Sequence, residues 1–474
     1  MTHRVSDHWD VVVSQQDSRG CMRWRRLVAH HCVCFSSVLI AVVAGCHDGP
    51  TMPAGRPDPV QGEWMAVTTG RDFTCALTRG GAAYCWGDNY RGRLGTIASQ
   101  ERLPAPAAVR GGLTFGSISA GYDHVCALTK EGAAYCWGSD DHGKLGTGAD
   151  TLSSIVPIGE PTPVVGGLSF RSISAGSSHT CAVTLDYRAY CWGSDLGGAL
   201  GVGGTSVCTP GLHEDPVAQD WDRICFRAAP APVVGGLAFT SISAGYDYTC
   251  GVSVEGTAYC WGDNEYGALG DLETPLNCRS TNHSACRRFA PVRVAGDFHF
   301  SSVSTGMYHA CGVSLTAKAY CWGLAATVDP VYGYPSVTSA PISTGASAPG
   351  GSRVPVAVGG GLEFREVNAR LLRSCGVTTA SRAYCWGRNS FGGLGLGNFD
   401  DSVELPRAVL MPAAKGAPAV GWEEEHACAV TTSGRIFCWG GYNFFGELGT
   451  GVVGGIGANA HVTNMPTPVV APVP

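Results

Sequence analysis

The sequence predicts an all-β fold, a seven-bladed β-propeller with about four strands per blade and a ring closed by the C-terminal strand. Three observations in its 474 residues support this prediction. Seven cysteine pairs share the spacing C-x9-C, each second cysteine lies between an aromatic residue and Trp-Gly, and the units recur every 51 to 69 residues. A long repeat that contains about four strands is typical of propeller blades.

The composition excludes several other classes of protein. Only 15% of the residues are charged and 45% are hydrophobic, which is unlike a disordered chain. The 67 glycines follow no three-residue period, so a collagen helix is excluded. After residue 46 no apolar run of about 20 residues, the length needed to cross a bilayer, occurs. A globular and turn-rich chain is therefore expected.

Residues 1–45 are predicted to be a signal region, with translation starting at Met22. A basic segment from Met22 to Arg26 precedes an apolar segment from Cys32 to Val43, and a small-residue cleavage site follows. Val43-Ala-Gly-Cys46 resembles the bacterial lipobox, in which the cysteine becomes the lipidated first residue of the mature protein. The alternative is ordinary signal cleavage near Ala44, which would leave Cys46 unmodified.

The segment after the cleavage site indicates where the protein would reside. Residues 46–60, rich in proline, are expected to form an extended tether, and residues 61–474 a single propeller. Aspartate, the residue that favours inner-membrane retention, does not follow Cys46, so an outer-membrane or cell-surface anchor is preferred. Removal of residues 1–45 takes away five Arg and three Asp and leaves a net charge of −8. Nucleic acid is therefore an unsuitable partner, and the membrane would be reached only through the lipid.

The cysteine pairs are predicted to be cross-strand disulfides of β-hairpins. In the second unit, Lys130-Glu131-Gly132 forms a three-residue turn, and counting outward places Cys126 opposite Cys136. Zinc ligands favour shorter spacings with a second pair nearby, so metal binding is disfavoured. Two further pairs lie in loops. The nine predicted pairs are Cys75 with Cys85, Cys126 with Cys136, Cys181 with Cys191, Cys208 with Cys225, Cys250 with Cys260, Cys278 with Cys286, Cys311 with Cys321, Cys375 with Cys385, and Cys428 with Cys438.

The order of elements in each unit predicts how the ring closes. A Pro-x-Pro-Val segment precedes Gly-Gly-Leu-x-Phe, Ser-Ile-Ser-Ala-Gly, the hairpin and a Gly-x-Leu-Gly turn. The first hairpin lacks a well-spaced Pro-x-Pro-Val segment, whereas the chain ends with an additional one at 466–470. The C-terminal strand is therefore expected to complete the first blade, which would remove the exposed sheet edges.

The repeat resembles that of the regulator of chromosome condensation family. Ala-Gly-x-x-His-x-Cys-Ala-Leu-Thr, Tyr-x-Trp-Gly and Gly-x-Leu-Gly carry this resemblance over about residues 60–470. It implies a seven-bladed propeller. The fifth unit departs from the pattern because Gly-x-Leu-Gly is missing after Trp322, and the sixth because Arg370 replaces a glycine.

No enzyme signature was found, and no catalytic residue, cofactor or metal site is predicted. Histidines recur two residues before a first cysteine, at 124, 179, 309 and 426. The equivalent residues elsewhere are Phe73, Tyr248 and Arg373, so a structural role at a turn between blades is favoured over a metal site.

Insertions in the third, fourth and fifth units are the candidate partner-binding loops, because binding residues often lie on loops of a rigid scaffold. They occupy the same connection of the repeat unit in three adjacent blades and are therefore expected to project from one face of the propeller. Their candidate contact residues are Trp221, Asp222, Arg223, Arg287, Arg288, Tyr332 and Tyr334. Tolerated surface insertions are the alternative interpretation.

The preferred function is an exported, surface-anchored and non-enzymatic propeller that binds an unknown protein, as an interaction scaffold or inhibitor-like module, and is monomeric. An envelope enzyme acting on polysaccharide or a small ligand in the central channel is one alternative. A structural or adhesive surface module is the other.

Overall fold

The computed structural model describes residues 63–96, 101–149, 158–210, 223–274, 283–324, 352–400, 402–421, 426–454 and 463–472. These residues belong to one compact unit, Pro57–Pro474. The predicted signal region, Cys46 and the tether lie outside them. The described residues form seven antiparallel sheets, six with four strands and one with five. The predicted seven-bladed all-β propeller is therefore confirmed.

The strands run outward from the centre in chain order, except that the fourth strand of blade 3 lies outside its fifth. Blade 1 contains β1 (Trp64–Thr69), β2 (Phe73–Thr78), β3 (Ala83–Asp88) and β4 (Arg102–Ala108), and blade 2 contains β5 (Ser117–Ala120), β6 (His124–Leu128), β7 (Ala134–Gly138) and β8 (Ile158–Pro163). Blade 3 contains β9 (Phe170–Ala175), β10 (His179–Thr184), β11 (Ala189–Ser194), β12 (Val207–Pro210) and β13 (Arg223–Pro232).

The remaining blades repeat this order. Blade 4 contains β14 (Phe239–Ala244), β15 (Tyr248–Ser253), β16 (Ala258–Asp263) and β17 (Arg287–Arg293), and blade 5 contains β18 (Phe300–Thr305), β19 (His309–Ser314), β20 (Ala319–Gly323) and β21 (Ser352–Ala357). Blade 6 contains β22 (Phe364–Arg370), β23 (Arg373–Thr378), β24 (Ala383–Arg388) and β25 (Ser402–Ala408), and blade 7 contains β26 (Ala419–Val420), β27 (Ala427–Val430), β28 (Ile436–Trp439) and β29 (Thr467–Pro468). Short 3-10 turns cover Tyr90–Gly92, Arg110–Gly112, Asp141–Gly143, Leu196–Gly198, His283–Cys286 and Ser390–Gly392.

The hairpin disulfides join directly opposed residues of the second and third strands, with Cα separations of 4.0 to 4.1 Å. All of these cysteines are fully buried. Each bond restricts the unfolded chain and stabilises the fold by about 2 to 3 kcal/mol in the chain-entropy account. From blade 1 to blade 7 the bonds join Cys75 to Cys85, Cys126 to Cys136, Cys181 to Cys191, Cys250 to Cys260, Cys311 to Cys321, Cys375 to Cys385, and Cys428 to Cys438.

The hairpin turns keep one geometry even where glycine is replaced. Gly132 has φ +90°, and its N–H donates to Thr129 O. Tyr187, Ala317 and Ser381 occupy this position with φ of 68°, 59° and 61°, and each N–H makes the equivalent bond. Positive φ is unfavourable for a residue with a Cβ, so these three turns are strained.

The core lies in the seams between neighbouring blades. In one seam the disulfide of Cys126 and Cys136 packs with Leu145 of its own blade and with Phe170 and Trp192 of the next. The seam tryptophans are fully buried, and most donate their indole N–H to a backbone carbonyl of the preceding blade's Gly-x-Leu-Gly turn. Such bonds are described for Trp86, Trp137, Trp261, Trp322 and Trp439, at 2.9 to 3.1 Å.

The ring closes differently from the sequence prediction. β29 pairs with β28, so the C-terminal strand completes the seventh blade, and the first blade takes its outer strand from Arg102–Ala108. Each Pro-x-Pro segment is the outer strand of the preceding blade and not the start of a unit: Pro163 pairs with Tyr135. The prediction that the C-terminal strand completes blade 1 was wrong because the assumed start of the unit was shifted by one strand.

The closing seam uses the contacts of the other seams. Trp86 of blade 1 donates to Glu447 O of blade 7 at 2.9 Å, and Gly451 N donates to Pro104 O at 2.8 Å. β1 also contacts β26 and β27. Side-by-side packing therefore closes the ring, and none of the described strands is exchanged between blades 7 and 1.

Candidate functional site on the loop face

One face of the propeller carries the turns between the first and second strands and the connections between the third and fourth strands; we call it the loop face. The opposite hairpin face carries the hairpin turns and the crossings to the next blade. The three insertions lie between β11 and β13, between β16 and β17, and between β20 and β21. All three are third-to-fourth strand connections and therefore emerge at the loop face, as the sequence predicts.

The third-blade insertion adds a strand to its blade. β12 pairs with the start of β13, and a disulfide joins Cys208 to Cys225 with their Cα atoms 4.0 Å apart. Arg223 is the first residue of β13, opposite Pro210. Trp221 and Asp222 lie outside the described residues, as do Tyr332 and Tyr334 of the fifth-blade insertion.

The fourth-blade insertion is held at both ends by charged side chains. Arg288 Nε lies 3.2 Å from Asp271 Oδ2, and Arg353 of blade 5 donates to Asp271 O at 3.0 Å. Cys286 is disulfide-bonded, and Cys278, its predicted partner, lies outside the described residues. Arg288 therefore anchors the insertion through a buried carboxylate, and both Arg287 and Arg288 are half-buried.

Arg287 faces two carboxylates that sequence reasoning missed. It pairs in register with Asp263, and Asp263 N donates to Asp247 O at 2.9 Å. Burial and the negative charge of Asp263 together raise the pKa of Asp247 to about 7, against the opposing positive charge of Arg287. In blade 1, Asp72 and Asp88 occupy the equivalent positions, and Arg93 forms an ion pair with Asp88. Ala268 replaces that arginine in blade 4, so Arg287 supplies the neighbouring positive charge instead.

Aromatic side chains cluster on the loop face. The ring centroids of Tyr266 and Tyr308 are 4.3 Å apart, and Tyr442 lies 4.4 Å from Phe391. Tyr90, in the equivalent connection of blade 1, is 57% exposed. Tyr90, Tyr266 and Phe391 lie one or two residues after the Asn that precedes a Gly-x-Leu-Gly turn, a position that could have been identified from the aligned repeats. Aromatic and arginine side chains are frequent anchors of protein interfaces.

The recurring histidines do not belong to this site. His124 Nε2 lies 2.9 Å from Thr180 Oγ1 of the next blade, and Thr180 donates its hydroxyl hydrogen to Lys144 O. The imidazole is therefore the donor to Thr180. Burial lowers the pKa of His179 and of His309 to about 4 and that of His426 to about 3, so the buried rings are neutral. The structural role predicted for them agrees with these bonds.

The central channel is a second concave region. Its lining comes from the first strands of every blade and encloses about 280 Å³. Glu366 is the one acidic side chain in this described lining, and burial raises its pKa. Within the described ranges no group of three or more His, Cys, Asp or Glu residues is arranged to hold a metal ion. No described helix is long and apolar enough to cross a membrane.

Comparisons with known proteins agree with the architecture. Two models of the regulator of chromosome condensation (RCC1) repeat match, one at residues 66–93, 117–144, 170–198, 239–268 and 420–447, the other at 80–128, 131–183, 255–313 and 381–421. Together they cover more than half of the chain.

Individual relatives match over most of their length. The ultraviolet-B receptor UVR8 of Arabidopsis thaliana is 28% identical over 82% of this chain and 79% of its own. The human regulator of chromosome condensation is 26% identical over 79% of this chain and 83% of its own. The crystal structure of Kap60 bound to yeast RCC1 (Prp20) contains a chain with a TM-score of 0.62 and 17% identity, over 90% of this chain and 91% of that one. The repeats, the blades and these matches establish that the chain belongs to the regulator of chromosome condensation (RCC1) repeat family.

Proposed function

We propose that this chain is an exported, lipid-anchored propeller that binds a protein partner through its loop face. The observation that carries the proposal is the placement of the three insertions at one face of adjacent blades, beside the Tyr266–Tyr308 pair. A rigid scaffold lowers the entropy cost of ordering loops on binding, and the disulfides at Cys208 and Cys286 lower it further.

The relatives favour binding over catalysis. One is named as a receptor, and another is seen in a complex with Kap60. For the alternative of an enzyme, catalytic carboxylates would be expected to converge in the channel, whereas the described lining holds Glu366 alone. We therefore favour a non-enzymatic interaction scaffold or inhibitor-like module, with a structural or adhesive role as the competing proposal.

Export is supported by the cysteine chemistry. Disulfides are common in proteins of oxidising compartments and rare in the cytosol, and every blade carries one. The basic, apolar and small-residue segments that end at Cys46 supply a route to export and a site for the lipid. We propose an outer-membrane or cell-surface location, with Met22 as the first translated residue.

Paired surface variants test the binding face. Tyr266→Ala with Tyr308→Ala removes the aromatic pair, and Leu185→Ser with Leu315→Ser changes two exposed hairpin-face side chains. Affinity capture by the mature protein on intact cells should yield a defined partner that the first variant loses about tenfold or more, as for interface anchors, and the second retains. Equal capture by both variants would contradict a loop-face interface.

A single substitution tests the anchor. Cys46→Ser should abolish incorporation of a radiolabelled fatty acid and release the protein from the membrane fraction, because it removes the thiol that carries the lipid. The disulfides of the blades should remain. Unchanged labelling would refute lipidation at Cys46, and intact-mass analysis that finds residues 1–21 would refute the start at Met22.

A further inference from the structure

The central channel contains a ring of hydroxyl groups that joins successive blades. Thr68, Ser119, Ser174, Ser243 and Ser304 hold equivalent positions on the first strands, and each accepts a backbone N–H from the next blade. The five N···O distances are 2.9, 3.0, 2.9, 3.1 and 2.9 Å. A hydroxyl oxygen that accepts one hydrogen bond still carries a hydrogen to donate.

This ring faces the cavity. All five residues belong to its lining, together with Asn368 at the equivalent position of blade 6. Ser243 has a second hydroxyl neighbour, Thr305 Oγ1 at 2.9 Å, so the remaining four are the clearer donors. The channel wall therefore presents hydrogen-bond donors around most of its circumference, which suits a ligand rich in oxygen acceptors.

Arg370 adds a positive charge where the other blades have glycine. The equivalent residues are Gly70, Gly121, Gly176, Gly245, Gly306 and Gly421. Arg370 extends β22 to seven residues and is the one basic side chain in the described lining of the cavity. Burial lowers the pKa of Arg370 only to about 10, so the guanidinium is charged at neutral pH.

The channel is electrically asymmetric. β22 runs toward the loop face and ends at Arg370, whereas Glu366 lies four residues earlier, about 13 Å away at the usual rise of a strand. Glu366 accepts the N–H of Ala417 at 3.1 Å. A ligand with one anionic end is therefore favoured with that end at Arg370 and disfavoured in the reverse orientation.

We propose that the channel binds a small, hydroxyl-rich carboxylate of the sugar-acid class, with the carboxylate on Arg370 and its other oxygens on the hydroxyl ring. A volume of about 280 Å³ lies just below the usual range for ligand pockets, roughly 300 to 1,000 Å³, which limits the ligand to about one sugar unit. A planar guanidinium binds a carboxylate through two parallel hydrogen bonds. This inference is independent of the protein partner proposed above.

Glucuronate and glucose form a matched pair of probes, because they differ only in the carboxylate. Isothermal titration of the full mature chain should give binding of glucuronate about tenfold or more tighter than that of glucose, the usual gain from a charge-assisted hydrogen bond. Sulfate should compete less well than glucuronate, since it cannot occupy the hydroxyl ring. These comparisons use the wild-type protein and require no variant to fold.

Two substitutions then locate the site. Arg370→Gly restores the residue of the other blades and should abolish the preference for glucuronate, whereas Arg370→Lys should keep part of it. Arg79→Ala, on an exposed hairpin turn, is the control and should bind as the wild type does. The proposal is overturned if neither probe binds, if glucose binds as tightly as glucuronate, if sulfate competes equally well, or if Arg370→Gly retains the preference.

Discussion

The seams between blades are of two kinds. Some contain a polar pair of a histidine and a hydroxyl residue, and the others have different residues at the same two positions. In the described part of the chain, four seams contain an imidazole of one blade and a hydroxyl of the next. The pairs are His124 with Thr180, His179 with Thr249, His309 with Ser374 and His426 with Thr74, at 2.8 to 3.0 Å.

In the other seams both members of the pair change. Phe73 packs in the same core cluster as Val125. For Tyr248 and Arg373, the residue of the next blade at the position of Thr180 is an alanine, Ala310 and Ala427 respectively. Tyr248 instead donates its hydroxyl hydrogen to His309 O at 2.5 Å. Because a buried polar group is costly without a partner, histidine occurs only where the next blade supplies a hydroxyl. Each histidine therefore forms a pair with the hydroxyl residue of the next blade, and the two members of a pair change together from one seam to another.

Acidification should produce the largest effect, because it acts on the four histidine seams together. The pKa of each buried histidine lies below its usual 6.5, so the unfolded chain binds protons that the folded chain does not. The stability that the neutral histidines contribute is complete above pH 6.5 and is lost as the pH falls toward about 4. One such histidine changes the free energy of unfolding by about 1.4 kcal/mol per pH unit.

Asp247, whose pKa is raised to about 7, opposes this loss as it becomes protonated. We therefore expect a net loss of roughly 5 kcal/mol between pH 6.5 and pH 5, from about 6 to 7 kcal/mol lost at the four histidines together and about 2 kcal/mol gained at Asp247. Urea unfolding at several pH values, with the disulfides intact, measures it. A flat profile would show that the imidazoles are protonated in the folded state.

Trp86→Ala and Trp137→Ala compare the closing seam with an internal seam. Each replacement removes a fully buried indole and its bond to a backbone carbonyl, so each should lower the free energy of unfolding by about 3 to 5 kcal/mol. The two losses should agree within about 1 kcal/mol if the closing seam is equivalent to the others. Chemical denaturation of both variants decides the point, and a much smaller loss for Trp86→Ala would show a weaker closure.

Deletion of residues 463–474 tests whether the ring needs its last strand. The deletion removes β29 and exposes the site of Val469, which is 4% exposed, but leaves the contacts of β1 with β26 and β27. We expect a loss of about 2 to 4 kcal/mol, from one buried valine and a few backbone bonds. Thermal unfolding of the truncated chain measures it. Complete unfolding at 25 °C would show that the terminal strand does hold the ring closed.

Thr180→Ala should convert a histidine seam into an unsatisfied one. It leaves the Nε2–H of His124 and the carbonyl of Lys144 without their shared hydroxyl, at a cost of about 1 to 3 kcal/mol. The double variant His124→Phe with Thr180→Val copies the pair found at Phe73 and Val125 and should recover more than half of that loss. Denaturant midpoints of the single and double variants give the coupling, and simple additivity would refute the pair interpretation.

Asp247→Asn should produce an effect of the opposite sign. Because the pKa of Asp247 is raised to about 7, about three units above that of an unfolded aspartate, the folded state resists its ionisation, and the neutral amide should stabilise the protein by up to about 4 kcal/mol at pH 8. A smaller gain of about 1 to 2 kcal/mol is expected at pH 5, where the folded carboxyl is protonated but the unfolded one is still ionised. Asp72→Asn is the control. Arg71 Nε lies 3.3 Å from Asp72 Oδ2, so removing the charge of Asp72 breaks an ion pair and should destabilise the protein. Melting temperatures at both pH values test this contrast.

Much of the fold could be predicted from local sequence signals. The Lys130-Glu131-Gly132 turn fixes the register of its hairpin, and register places Cys126 opposite Cys136. Repetition of that short-range pattern gave the number of blades. The start of the unit could not be read in the same way: a Pro-x-Pro segment such as the one ending at Pro163 is extended in either assignment, and only its pairing with Tyr135 shows to which blade it belongs.

The candidate site was predicted less completely. The insertions identified the loop face, because they occupy one connection of the repeat. Asp247 and Asp263 gave no signal, since each is an ordinary turn residue until the strands bring the two together. Arg288 seemed a surface anchor until its ion pair with the buried Asp271 showed that it holds the insertion in place.

The sequence by itself determined the hairpins, the disulfide spacing and the sevenfold repeat, because each depends on residues within about a dozen positions of one another. The tertiary structure decided how blades meet: which strand closes the ring, which hydroxyl each histidine finds and how Arg370 comes to line a channel shared by every blade. Those features join residues about 30 or more positions apart, and their geometry follows from packing within and between blades, which no local pattern specifies.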